Sequence, residues 1–158
     1  MPPERRPAER VVRTLDAAWA ALLESYAGLP DAALLEPGVA GDWSVKDVLA
    51  HVNTWQEEAL QQLPVIAAGG TPPRYGSTYG GIDAFNARMA ERKRGMSLAE
   101  VRRRLDETHR RLIALIRSVP EHHLTGETRF RRRLRLDTYG HYRLHERGIR
   151  EWRAQGSA

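Results

Sequence analysis

The chain has 158 residues, 41% of them hydrophobic, and a formal net charge of +5, which bounds it to about one domain with a real core and leaves room for an anionic partner. It has no cysteine, which excludes disulfides, Cys–zinc sites and a protein thiol nucleophile; any metal must be held by His, Asp or Glu, and any thiol must be brought in. The start, MPPERRPAER, lacks the apolar core of a Sec signal, and no apolar run approaches the ~18 residues of a membrane span. The expectation is therefore a cytoplasmic single domain over residues 1–158, with residues 1–8 and 156–158 disordered.

From Glu9 the apolar positions Val11, Val12, Leu15, Ala18, Trp19, Leu22, Leu23 and Tyr26 keep the 3,4 spacing of an amphipathic helix. Gly28 and Pro30 stop it, and residues 30–43 read as a loop. Ser44 to Asp47 then forms a capping-box pattern, with Trp43 and Val48 placed as a hydrophobic staple. The second helix turns Val48, Leu49, His51, Val52, Trp55 and Ala59 inward, and Pro64 is expected to kink or end it. Residues 68–81, AGGTPPRYGSTYGG, predict a long surface loop with Tyr75 and Tyr79 available as cover.

Residues 82–94 predict a short helix ended by Gly95. Ser97 to Glu100 is a second capping box, opening a helix to about Ser118 with Leu98, Val101, Leu105, Leu112, Leu115, Ile116 and Val119 inward. Residues 120–135 read as a connector containing the arginine run 129–135. Asp137 is expected to cap the last helix, whose inner face is His141, Leu144, His145, Gly148, Ile149 and Trp152. Gly140 and Gly148 each cost this helix about 1 kcal/mol relative to Ala, but leave room for a close neighbour or a ligand. The sum is an all-α four-helix bundle with one additional short helix.

His141 and His145 are four apart, so they stack on one helix face. With His51 from a second helix they form a set able to hold a divalent metal and leave positions open. All three lie in the N-terminal halves of their helices, so a meeting would follow if those helices run parallel. The competing reading is hydrogen-bonded core histidines. His109, His122 and His123 read as structural or exposed. Asp47 and Glu58, one turn before His51 and two turns after it, are candidate acid/base residues. A helix cap and a solvated helix position are their respective alternatives. Within the arginine run, Arg131 and Arg133 are candidates for holding an anionic ligand. A nucleic-acid patch and a solvated basic connector are the other readings of that run.

Trp43-Ser-Val-Lys-Asp47-Val-Leu-Ala-His51 followed by Trp55, together with Thr138-Tyr-Gly-His141-Tyr-Arg-Leu-His145 and Trp152, resembles the DinB/YfiT-like superfamily of bacterial four-helix-bundle metalloenzymes. The ending resembles its ClbS/DfsB-type branch in particular. The resemblance implies zinc or nickel on His51, His141 and His145. It also implies a bundle in which the second and last helices bring them together, and a frequent homodimer. Related branches use low-molecular-weight thiols such as bacillithiol, mycothiol or glutathione, and the ClbS/DfsB branch is associated with self-protection against reactive metabolites. The expectation is a metal-dependent enzyme that attacks a small electrophile with water or a thiol, because three neutral imidazoles leave the metal its full double charge. The rival expectation is a non-enzymatic bundle that sequesters a metabolite or binds DNA through its arginine-rich surface.

Overall fold

The computed structural model describes residues 2–156; Met1, Ser157 and Ala158, part of the ends expected to be disordered, lie outside the described residues. The beginning is more ordered than its sequence predicts. A 3-10 turn, Pro3–Arg5, feeds directly into α1 (Pro7–Ser25). Pro7 is buried in the first turn, where its fixed φ is already helical and its missing N–H has no partner to lose.

A one-turn helix, α2 (Asp31–Leu34), buries Ala33 and Leu34 inside the stretch read as a loop. Next comes α3 (Val45–Ala67), with both halves of the Ser44–Asp47 capping box formed. It does not end at Pro64. The proline removes one donor near the C-terminus, and buried Leu63 and Ile66 hold the last turn in place. The Gly-rich segment that follows contains α4 (Tyr75–Tyr79), closed by Gly80 at φ +83°, and then α5 (Ile82–Lys93). In α6 (Leu98–Ser118) the Ser97 hydroxyl caps the Glu100 N–H, while the Glu100 side chain turns to Arg103 and Arg104 instead of back to the cap.

The connector after α6 is also more regular than expected. A 3-10 turn, Glu121–His123, precedes α7 (Arg129–Asp137), whose N-terminus is capped by Thr128. Phe130, Leu134 and Asp137 form its buried stripe at i, i+4 and i+7. Asp137 is therefore the last residue of α7, not the cap of α8 (Tyr139–Ala154), which has no side-chain cap. The two helices join at Thr138 (φ −127°, ψ −100°), and Tyr142 N donates to Thr138 O at 2.7 Å across the joint. Gly140 is required there, since a Cβ would stand 2.8 Å from the Arg135 carbonyl oxygen.

Pairwise contacts set the helix directions. Arg150 and Arg153 reach Ala21 O and Ser25 O, so α1 and α8 run parallel. Arg117 pairs with Glu9 and His109 with Asp16, so α6 runs antiparallel to α1. Arg129 reaches Gly70 O while Gln56 bonds the Tyr142 hydroxyl, so α3 runs antiparallel to α7 and α8. It follows that α3 and α6, which pack closely on each other, are parallel. A parallel pair needs a long crossover, and residues 68–97 supply it, with α4 and α5 folded into it.

Leu15, Leu22, Leu49, Leu63, Leu105, Leu112 and Ile149 are fully buried among the long helices. Leu144 is not; it is 58% exposed, while Tyr142 is fully buried. The core stripe of α8 runs through Tyr142, Ile149 and Trp152, and Leu144 lies about 200° around the helix from Tyr142. A polar ladder crosses this core. Lys93 Nζ donates to Asn53 and Glu57 at 2.9 Å, Asn53 donates to Thr108 and Gln56, and Gln56 donates to the Tyr142 hydroxyl at 3.0 Å. It joins α5, α3, α6 and α8 and fixes their register. No helix among the described residues is long and apolar enough to cross a membrane.

Candidate metal centre

His51 lies two turns into α3, held there by the apolar stripe that starts at Val45. His141 and His145 flank the core stripe of α8, aimed by the joint at Thr138. The three rings converge, with His141 Nε2 3.0 Å from His51 Nε2 and 2.9 Å from His145 Nε2. One nitrogen from each lies within 4.8 Å of the others. They meet across antiparallel helices, not parallel ones, because α7 precedes α8 and so places His141 midway along the α7–α8 pair.

Each ring is partly buried, Trp43 packs 5.1 Å from His51, and Trp55 lies 6.4 Å from His141. Burial pushes all three imidazoles below the usual histidine range: His51 to about 4, His141 to about 2 and His145 to about 4. Mutual repulsion adds to burial at His51 and His141. At neutral pH the rings are therefore neutral, the state a metal ligand requires. Tetrahedral zinc with bonds of about 2.0–2.1 Å needs nitrogens roughly 3.3 Å apart; the separations of 2.9 and 3.0 Å from His141 lie a few tenths of an ångström below that value, and all three nitrogens fall within 4.8 Å of one another. His141 Nδ1 is buried without a hydrogen-bond partner. A neutral ring that carries its one proton there turns its Nε2 lone pair to the point where the rings meet. The donor set fits a divalent cation.

A second group of polar side chains lies beside the histidines. The Tyr75 hydroxyl donates to Glu58 Oε1 at 2.7 Å and accepts from Arg133 Nη2 at 2.6 Å, and Arg133 Nε donates to Asp137 Oδ2 at 2.6 Å. Burial, reinforced by the bond to Glu58, pushes the Tyr75 hydroxyl up. Burial pushes Asp137 up to about 6 against the pull of Arg133. Tyr75 also belongs to an aromatic cluster with Tyr79, Phe85 and Trp55, at centroid distances of 4.9–5.8 Å. Below it opens a cavity of about 330 Å³ lined by Trp55, Tyr75, Ile82, Asn86, Arg133, Leu136, Asp137 and His141.

The remaining candidates fall in different places. Glu58 is buried and reaches this cavity through Tyr75. Asp47 accepts both the Ser44 N–H and hydroxyl at 3.0 Å, and lines a separate cavity with Trp43, Lys93 and Arg94. Arg133 is at the histidine cavity with two of its nitrogens committed to Asp137 and Tyr75. Arg131 is on another face, lining a cavity with Arg10, Thr14 and Tyr139. His109 is buried against Trp19 and Asp16. Asn86 and Leu136 were not singled out from the sequence, and Ile82 was read only as an apolar position of the short helix. No pattern in the sequence points to a site at these positions, and only the crossover brings α5 to the end of α7.

The sequence matches the family model of the DinB superfamily over residues 14–147. No curated protein matches it. Among solved structures, the chain is similar to the colibactin self-resistance protein ClbS in complex with a double-stranded DNA. That match is 18% identical with a TM-score of 0.78, covering 92% of this chain and 94% of that one. It is also similar to DfsB, described as a sibling lethal factor precursor, at 17% identity and a TM-score of 0.79 over 94% and 96% of the two chains. An uncharacterised protein from Escherichia coli UTI89 is 15% identical, with a TM-score of 0.78 over 96% and 95%. At these identities the likeness establishes the shared fold.

Proposed function

The chain belongs to the DinB superfamily, and from that premise we propose that it is a divalent-metal-dependent enzyme. His51, His141 and His145 hold the ion, zinc or nickel, and the adjoining cavity receives a small electrophile for attack by water or a low-molecular-weight thiol. The observation that carries this reading is the convergence of three neutral imidazole nitrogens with no carboxylate among their partners. An ion held by neutral ligands keeps its charge and supplies Lewis acidity at its open position.

The chain's own residues do the rest. Trp43 and Trp55 shield the rings from water, and Trp55, Ile82 and Leu136 offer apolar walls to the substrate. Glu58 holds or releases a proton through the Tyr75 hydroxyl, while Arg133 steadies that oxygen and Asp137 fixes Arg133. The lack of cysteine makes any thiol an external cofactor. Because ClbS is described as a self-resistance protein, detoxification in the cytoplasm is the role we assign. Metal analysis of protein purified without a histidine tag tests the reading. About one equivalent, lost in His51→Ala, is the expected result. Less than about a tenth of an equivalent, unchanged by the substitution, would sink it.

A second reading has one observation in its favour: the structure of ClbS contains double-stranded DNA. Exposed Arg132, Arg143 and Arg147 give this chain basic surface near the α7–α8 joint. Affinity for duplex DNA that falls steeply with salt, and weakens when these arginines are neutralised, would support it. No binding at low salt excludes it.

A further inference from the structure

The cavity beside His141 contains an amide whose orientation is fixed by chemistry. The Trp55 indole nitrogen can only donate, and it donates to Asn86 Oδ1 at 2.9 Å. The Asn86 amide therefore cannot be flipped, and its NH2 points away from Trp55. Asn86 lines the cavity, and its Nδ2 has no hydrogen-bond partner among the described residues and is not buried from solvent.

The surroundings narrow what that NH2 receives. Arg133, which also lines the cavity, commits Nε and Nη2 to Asp137 and Tyr75, which leaves Nη1 as a second donor without a partner among the described residues. Asp137 is the one carboxylate lining the cavity, and Arg133 neutralises it. The rest of the lining joins the apolar side chains of Trp55, Ile82 and Leu136 to the rings of Tyr75 and His141. Ile82 and Leu136 are 53% and 70% exposed, so their apolar surface meets water until a ligand covers it. Trp55 contributes part of its ring to the lining, and that ring is 6.4 Å from that of His141. A group held by Asn86 against Trp55 thus sits beside the histidine cluster.

We propose that Asn86, aimed by Trp55, is the specificity-determining donor of this cavity, and that it receives a carbonyl oxygen of a flat, apolar ligand. The proposal rests on the functional reading above only in taking this cavity as the substrate's place.

A matched pair of probes tests it. N-phenylsuccinimide and N-phenylpyrrolidine have the same two rings and differ in the carbonyl oxygens. Each is titrated into the full chain, once with chelator and once with zinc, following the Trp55 indole resonance by NMR. One good hydrogen bond should make the succinimide bind about tenfold more tightly. Asn86→Asp keeps the acceptor for Trp55 and removes the donor, so the ratio should fall to about one while the pyrrolidine affinity holds. In Trp55→Phe, followed by ligand resonances, the amide is released and the ratio should drop with both probes still bound. Equal affinities in the wild type, no binding of either probe, or a preference that survives Asn86→Asp overturns the proposal. Failure of the metal reading would appear separately, as missing metal with the probe ratio unchanged.

Discussion

His109 and the histidine cluster both place imidazoles between helices, and they differ in what faces the ring nitrogens. His109 Nε2 meets Asp16 Oδ1 at 2.9 Å, and its ring stacks on Trp19 at 4.3 Å and 8°. Burial lowers its pKa, and Asp16 pushes it back up. At His51, His141 and His145 the facing groups are other imidazoles, with no acid to offset burial. At His109 the protein gives Nε2 an acidic partner, while Nδ1 is buried without one. At the cluster the ring nitrogens instead face one another, within 4.8 Å, a grouping that could hold a metal ion.

Metal content gives the largest separation between the two regions. His141→Ala should lower bound metal at least about tenfold, as loss of one of three ligands requires, while His109→Ala leaves it unchanged. Elemental analysis of both variants checks this. Stability should divide them the other way. His109→Ala removes a buried, stacked ring and should cost about 3 kcal/mol in urea unfolding. In metal-free protein, His145→Ala should cost under about 1.5 kcal/mol, because it also relieves crowding among unpaired nitrogens.

Asp137, next to the cluster, provides a pH test. Its folded pKa of about 6 lies above the ordinary 3.8, so the folded state binds the proton more tightly than the unfolded state does. Its contribution to stability is thus complete below pH 3.8 and is lost as pH rises through 6. The shift of about two units corresponds to about 3 kcal/mol as an upper figure. The depressed histidines act in the opposite sense over much of this window, so the wild type alone does not isolate the effect. The difference between wild type and Asp137→Asn, followed by urea unfolding from pH 4 to 7, does. Wild type should lose stability relative to the variant as pH rises. Gly140 tests the joint between α7 and α8. Gly140→Ala drives a Cβ toward the Arg135 carbonyl and should cost about 1–2 kcal/mol. It should weaken metal binding by shifting His141 and His145, yet leave the Trp19–His109 stack unmoved in NMR spectra.

Much of the bundle was legible because periodicity is a local property. Helical spacing placed α1, α3, α6 and α8, and the Ser44 box marked where α3 starts. It failed where local signal was thin. Five of the seven residues in 129–135 are arginine, so the Phe130–Leu134 stripe of α7 was hidden. Asp137 looked like a helix cap because the chain after it is helical, yet its carboxylate is spent on Arg133. Arg133 looked like an open anion site, but that same pair and Tyr75 engage two of its nitrogens.

The sequence by itself determined that no cysteine chemistry is available, that His51 lies on an inward face, and that His141 and His145 share one side of the last helix. Composition and the 3.6-residue repeat act over a few turns, so these features needed no knowledge of the rest of the chain. Only the tertiary structure decided that the rings meet within hydrogen-bonding distance, and that they do so between antiparallel helices. It also decided that Tyr75, Glu58, Arg133 and Asn86 gather beside them. Those outcomes depend on a 30-residue crossover and on one joint at Thr138, where long-range packing and a glycine's missing Cβ set the geometry.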